Sequence, residues 1–241
     1  MFADGFESGS LDDWSDRRGT IVFDTTEKYE GEYSLRFEAR RGKGTGAKIV
    51  RWFMPGYDEI YIRWEVKFNS DFDQGRGMHL SWVAGNRTDN KYSAFGKTGR
   101  RPTGTDFFLT KLEPWKVAGK YYAPGALSFF SYWPDMATGA LGDYGNLLMP
   151  KNPARVPRGR WVGMSMMIKL NTPGQYDGEQ AFWMDGRLRG RWENMRFRDT
   201  LDLKLNSFTL ELYIHENAKR NVLWYDDVVI STEPFSWMTD G

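Results

Sequence analysis

The most constraining feature of this chain is a strict two-residue alternation. In Ile60-Tyr61-Ile62-Arg63-Trp64-Glu65-Val66-Lys67-Phe68, the residues Ile60, Ile62, Trp64, Val66 and Phe68 fall on one face, and Tyr61, Arg63, Glu65 and Lys67 fall on the other. A period of two matches a β-strand with one buried face and conflicts with the 3.6-residue period of a helix. The test repeats over 161–170, where Val162, Met164, Met166, Ile168 and Leu170 point inward and Ser165, Met167 and Lys169 outward. It repeats again over 208–215, with Phe208, Leu210, Leu212 and Ile214 inward and Thr209, Glu211, Tyr213 and His215 outward. Further strands are predicted at 20–24, 33–39, 77–83, 127–133, 180–184 and 222–231, bounded by Gly, Pro, Asn and Asp clusters.

These short strands, with no competing helical period, predict an all-β chain forming a two-sheet antiparallel sandwich. No internal repeat or composition break divides the 241 residues, a length that one sandwich can fill, so a single domain over 1–241 is expected. Two Gly- and Pro-rich stretches, 85–124 and 134–160, are longer than ordinary hairpin connections and are expected to be loops lining a groove.

Composition narrows the function. Thirty-three Lys plus Arg against thirty-two Asp plus Glu give a net charge of +1, without the basic excess that attracts nucleic acid. No run approaches the roughly 18 apolar residues of a membrane-spanning helix. There is no cysteine, so disulfides and thiolate metal sites are excluded. The two histidines have no His-x-x-x-His spacing, which disfavours a metal-dependent hydrolase. The glycines of 99–104 do not lie between a strand and a helix, as a phosphate loop requires. Aromatics reach 16%, including eleven Trp, which serves sandwich cores and also sugar recognition, since indole rings stack on the C–H faces of saccharides.

The ends and the second half resemble known families. The opening Asp4-Gly5-Phe6-Glu7-Ser8-Gly9, the segment Gly31-Glu32-Tyr33-Ser34-Leu35-Arg36-Phe37 and the terminal Asp226-Asp227-Val228-Val229-Ile230 resemble jelly-roll carbohydrate-binding modules and related lyases of the concanavalin A-like kind. Asn171-Thr172-Pro173-Gly174, Asp177-Gly178-Glu179, Trp183-Met184-Asp185-Gly186, Asn194 and Arg196-Phe197-Arg198 resemble the second half of polysaccharide lyase family 14-like proteins. The Asn-Thr-Pro-Gly and Asp-Gly pieces are turn chemistry and specify hairpins rather than catalysis. The resemblance implies a jelly roll whose first and last strands pair. It also implies a calcium ion between them, for which Glu7, Asp226 and Asp227 supply hard carboxylate oxygens.

It further implies a carbohydrate-active enzyme, foremost a lyase that cleaves an anionic, uronate-containing polysaccharide by β-elimination. That reaction needs a cation to neutralise the uronate, a base for the C5 proton and an acid for the departing oxygen. Arg63, with Lys67 on the same face, is expected as the cation, His79 as the base, and Tyr132 or Tyr213 as the acid. Glu65, Ser81, Lys169, Glu211, His215, Asn217 and Trp133 are the remaining expected substrate contacts. Two alternatives stand beside this reading. One is a glycosidase using Glu65 and Glu211 as its carboxylate pair. The other is a binding module presenting Trp82, Trp115, Tyr121, Tyr122 and Trp133 as stacking platforms. A polysaccharide-active jelly roll is expected to be secreted or periplasmic, its signal peptide lying outside this sequence.

Overall fold

A computed structural model describes residues 1–75 and 77–238. In chain order the strands are β1 (Phe2–Asp4), β2 (Ser15–Arg18), β3 (Thr20–Asp24), β4 (Ser34–Ala39), β5 (Gly42–Tyr57), β6 (Glu59–Phe68), β7 (Met78–Arg87) and β8 (Phe108–Trp115). They continue with β9 (Gly125–Tyr132), β10 (Asn146–Leu148), β11 (Arg155–Val156), β12 (Trp161–Lys169), β13 (Gly178–Met184), β14 (Arg187–Met195), β15 (Leu203–Asn217) and β16 (Asn221–Ser231). They form two antiparallel sheets, the jelly-roll sandwich that the alternation predicts. One, the back sheet, runs β14-β13-β12-β6-β16-β4-β3 with β1 added beside β16. The other, the groove sheet, runs β10-β9-β8-β7-β15-β5-β2 with β11 added beside β9.

The first and last strands pair as expected, Phe2 to Asp4 lying against Ile230 to Val228. The alternation of β6 holds without a break: Ile60, Ile62, Trp64, Val66 and Phe68 are all buried in the core between the sheets. Val162, Met164, Met166 and Ile168 from β12 join them, as do Phe208, Leu210, Leu212 and Ile214 from β15. Among the buried polar contacts that cross the same interior, Thr110 Oγ1 donates to Gln180 Oε1 at 3.0 Å across the two sheets. A buried hydrogen bond of this kind satisfies groups that would otherwise destabilise the core.

The stretch 85–124 is only partly loop. Its centre is β8, a strand inside the groove sheet between β7 and β9. Likewise 134–160 contributes the short strands β10 and β11 at the sheet edge. At the far end of the back sheet β14 is an edge strand, interrupted by register shifts against β13 and bearing Arg187, Arg189 and Arg191. No helix among the described residues is long and apolar enough to cross a membrane.

Candidate active site

The outward face of the groove sheet carries a cavity of about 450 Å³ whose floor comes from β7, β8, β9 and β15. β15 alternates regularly, so Glu211, Tyr213 and His215 all face the cavity while Leu210, Leu212 and Ile214 enter the core. β7 does not. His79 faces the cavity and Leu80 the core, but the pairing with β15 slips between Leu210 and Tyr213, and Trp82 rather than Ser81 comes next into the cavity. Two hydroxyls hold this slip. Ser81, fully buried, donates through Oγ to Leu112 O at 2.9 Å. The hydroxyl of Tyr225, reaching across from β16, lies 2.7 Å from both Leu80 O and Glu211 O. Bulges of this kind re-aim side chains next to sites. Ser81, expected at the substrate, is therefore a structural residue, and Trp82 takes its place.

Behind the cavity wall, against His79 and Trp115, a buried carboxylate organises its neighbours. Glu113, with a fully buried side chain, accepts from Trp115 Nε1 at 3.1 Å and lies 2.9 Å from His79 Nδ1. A carboxylate only accepts, so this contact places the proton on Nδ1 and leaves Nε2 free for the groove. The His79 ring stacks on Tyr213 with centroids 5.7 Å apart, and His215 closes edge-on against both rings at 5.0 Å. Burial lowers the His215 pKa, with the neighbouring His79 and Lys111 adding to the shift. Glu211 accepts from Trp82 Nε1 at 3.2 Å.

Lys111 sits on β8 opposite Trp82 on one side and Phe130 on the other. Desolvation lowers its ammonium pKa, opposed by the charges of Glu113 and Glu211. Tyr132 lines the far wall, and burial raises its phenol pKa. Phe95, Gly96, Lys97 and Thr98 form the rim. His79, Tyr132, Tyr213, Glu211 and His215 thus meet in one cavity. Lys111 and Glu113 were missed. Their signal was present as the polar, outward positions of Phe-Leu-Thr-Lys-Leu-Glu-Pro-Trp, but an inward Thr110 and an outward Leu109 mask the alternation.

The structure separates the other expected residues from this site. Arg63, Glu65 and Lys67 face outward on β6, and Lys169 is exposed at the end of β12, so all four lie on the back sheet with the whole core between them and His79. Arg63 Nη1 pairs with Asp227 Oδ2 at 3.0 Å, and Lys67 Nζ with Glu27 Oε2 at 2.5 Å. The expectation that Arg63 stands beside His79 is corrected because alternation reports which residues face outward, not from which sheet. The same placement removes the glycosidase pair, since Glu65 and Glu211 leave the sandwich in opposite directions.

Asn217 is also internal. Its Nδ2 donates to Ala39 O at 3.0 Å and Arg40 O at 2.8 Å, and its Oδ1 accepts from Asn221 Nδ2 at 2.7 Å, tying β15 to the β4–β5 connection. Trp133 is half-buried where the main core meets the smaller cluster of Trp82, Phe107 and Tyr132. Of the other stacking candidates, Trp115 lines the cavity, Tyr121 is buried and Tyr122 is exposed.

The calcium ligands expected from the ends of the chain do not converge. Glu7 accepts from the backbone N–H groups of Glu32 at 2.8 Å and Tyr33 at 3.0 Å, which lower its carboxyl pKa. Asp226 Oδ2 accepts from the N–H of Tyr29 at 2.9 Å, and burial still raises its pKa to about 6. Asp227 is held by Arg63. Among the described residues no group of three or more His, Asp or Glu is disposed to hold a metal ion.

The fold and groove define a class of jelly-roll sandwich with an aromatic, titratable cleft on one sheet. No protein-family model matches the chain, and no curated protein matches its sequence. Solved structures do match. The marine PL-14 alginate lyase from Aplysia kurodai superposes with a TM-score of 0.71 at 16% identity, over 93% of this chain and 92% of that one. An alginate lyase from Chlorella virus gives 0.70 at 13%, over 95% and 96%, and an endo-beta-1,4-glucuronan lyase from the fungus Trichoderma reesei gives 0.61 at 15%, over 96% and 95%. The resemblance to family 14-like lyases read from the sequence thus holds for the fold.

Proposed function

We propose that the groove binds an acidic, uronate-containing polysaccharide and cleaves it by β-elimination. The observation that carries this reading is the Glu113–His79 pair beside Tyr213 and Lys111 in one cavity. The lyase activities of the three similar structures support it. Lys111, with Lys97 at the rim, pairs with the uronate carboxylate and acidifies the C5 proton. His79 takes that proton through Nε2 while Glu113 keeps the other nitrogen protonated and fixes the ring. The C5–H electrons become the C4–C5 double bond, the C4–O bond breaks, and the hydroxyl of Tyr213 or Tyr132 protonates the departing oxygen. A second reading exchanges the first two roles. Desolvation works against the charged form of Lys111, and a lysine amine is itself a base once it has lost its proton.

Polymers of this kind lie outside cells, so a secreted or periplasmic protein is part of the proposal. The test is ultraviolet absorbance of unsaturated uronate during incubation with alginate, glucuronan and other acidic polysaccharides. A rise on at least one supports the lyase. Reducing ends released without an unsaturated product move the protein to the hydrolases. Loss of turnover in Lys111→Arg with only a KM change in His79→Gln selects the second reading.

A further inference from the structure

A second cavity, of about 460 Å³, opens on the outward face of the back sheet, across the core from the groove. Its floor is Glu65 on β6 and Gly163 directly opposite on β12. A Cβ at position 163 would stand 3.0 Å from Glu65 Oε1, so the glycine keeps the floor open. Glycine inside a strand often marks a close approach by something other than a side chain. Three aromatic side chains form the walls. Tyr29 and Trp161 meet edge to face with centroids 6.0 Å apart, and Trp237 stacks on Phe235 at 5.1 Å.

The charges are arranged unlike those of the groove. Asp185 pairs with Arg160 at 2.9 Å and Asp227 with Arg63 at 3.0 Å, so each flanking acid has its own cation. A bulge in β16 between Asp226 and Val229, with Asp227 at a φ of 46°, swings that carboxylate over Arg63. Glu65, between them, has neither an ion pair nor a hydrogen bond among the described residues, although it is largely shielded from solvent. Burial, then the charges of Asp227 and Asp185, raise its pKa to about 7. A carboxylate held without donors on the floor of an aromatic-walled cavity is an acceptor for hydroxyls brought from outside. Aromatic faces accept sugar C–H groups. An anionic sugar, in contrast, meets in Glu65 an acid that has no cation of its own, and is repelled.

We propose that this cavity is a binding site for an uncharged sugar unit, with Trp161, Trp237 and Tyr29 against the ring and Glu65 accepting from its hydroxyls. It takes a ligand of opposite preference to that of the groove and does not depend on the groove being a lyase. Calorimetry with cellotetraose, laminaritetraose and mannotetraose tests it, alongside a β-1,4-glucuronan tetrasaccharide, which differs from cellotetraose by oxidation at C6. At least one neutral oligosaccharide binds, and Glu65→Gln weakens it by roughly tenfold or more, the usual scale for a hydrogen bond to a charged group. Trp237→Ala, at a half-exposed position near the end of the chain, weakens it as well and keeps the test open should Glu65→Gln misfold.

In the wild type the affinity falls as pH drops below about 7, where Glu65 takes up its proton among Arg63, Asp185, Asp226, Asp227 and the Tyr29 hydroxyl. Glu65→Gln leaves both the affinity for the glucuronan tetrasaccharide and the turnover of acidic polymer unchanged. The proposal is overturned if none of the three neutral probes binds, if both variants keep full affinity, or if the glucuronan probe depends on Glu65 as much as the neutral ones do.

Discussion

The two outward faces of this sandwich are written in the same alternating code and carry opposite electrostatic designs. On the groove sheet the buried acid, Glu113, is supplied with two N–H donors, one of which belongs to the histidine it orients. On the back sheet the comparable acid, Glu65, has no hydrogen-bond donor among the described residues and is raised to about 7 by burial and by like charges. A buried carboxylate supplied with donors is held in one orientation, whereas one without donors keeps its capacity to accept a hydrogen bond from outside. The contrast teaches that residue type on a strand says less than what the neighbouring strand supplies.

The largest effect that tests the contrast is on turnover. His79→Ala is expected to lose about 10² to 10⁴ in kcat, the usual cost of a missing general base, whereas Arg63→Ala keeps its kcat within experimental scatter. Equal losses in both would break the assignment of chemistry to one face. Trp64→Ala empties core space shared by both sheets and is expected to lower the unfolding free energy by about 3 to 5 kcal/mol in denaturant titrations.

Tyr225→Phe joins the two faces more selectively. It removes the hydroxyl that sits over Leu80 O and Glu211 O, for an expected loss of about 1 to 3 kcal/mol. Because those carbonyls border the slip that brings His79 and Trp82 into the groove, kcat should fall as well while neutral-sugar binding on the back sheet survives. Retained kcat in a destabilised Tyr225→Phe protein would show that the slip is held without it.

A pH series sharpens the back-sheet side. The folded protein holds the Glu65 proton more tightly than the unfolded chain, whose carboxyl titrates near 4.5. Its contribution is therefore fully present below about 4.5 and is lost as pH rises to about 7. Glu65→Gln should gain on the order of 1 kcal/mol relative to wild type at pH 8 and nothing at pH 4, after allowance for partial exposure. A melting-temperature difference that does not vary with pH would contradict this. Smallest of all, Lys67→Ala breaks a surface pair with Glu27 and is expected to cost less than about 1 kcal/mol in the same titrations, without any change in turnover.

Much of the architecture was legible in the chain. Ile60 to Phe68 alternates without exception because β12 pairs with it residue for residue and its inward face meets only apolar groups, the irregularity opposite its centre being taken up by the bulge in β16. The pairing of the chain ends was legible through Phe-Glu-Ser-Gly and Asp-Asp-Val-Val-Ile. The site was legible only in part. Tyr213 and His215 follow from the alternation of β15, but Lys111 and Glu113 do not, since β8 buries a threonine whose partner, Gln180, is seventy residues away on the other sheet. Ser81 and Trp82 exchanged places because a slip in pairing is a property of two strands and leaves no mark on either alone. Arg63 and His79 are separated for a similar reason: the period of a strand identifies its outward residues, while membership of a sheet is decided by long-range pairing.

The edge strand β14 has a consequence for how the protein behaves in concentrated solution. An open strand edge is a template on which another chain can lay its own backbone, and regular, flat, apolar edges invite such growth. Here the edge carries Arg187, Arg189 and Arg191, and its pairing with β13 is interrupted twice, so an approaching strand meets positive charge and a broken register of N–H and C=O groups. Lateral extension of the back sheet into fibrils is thereby disfavoured.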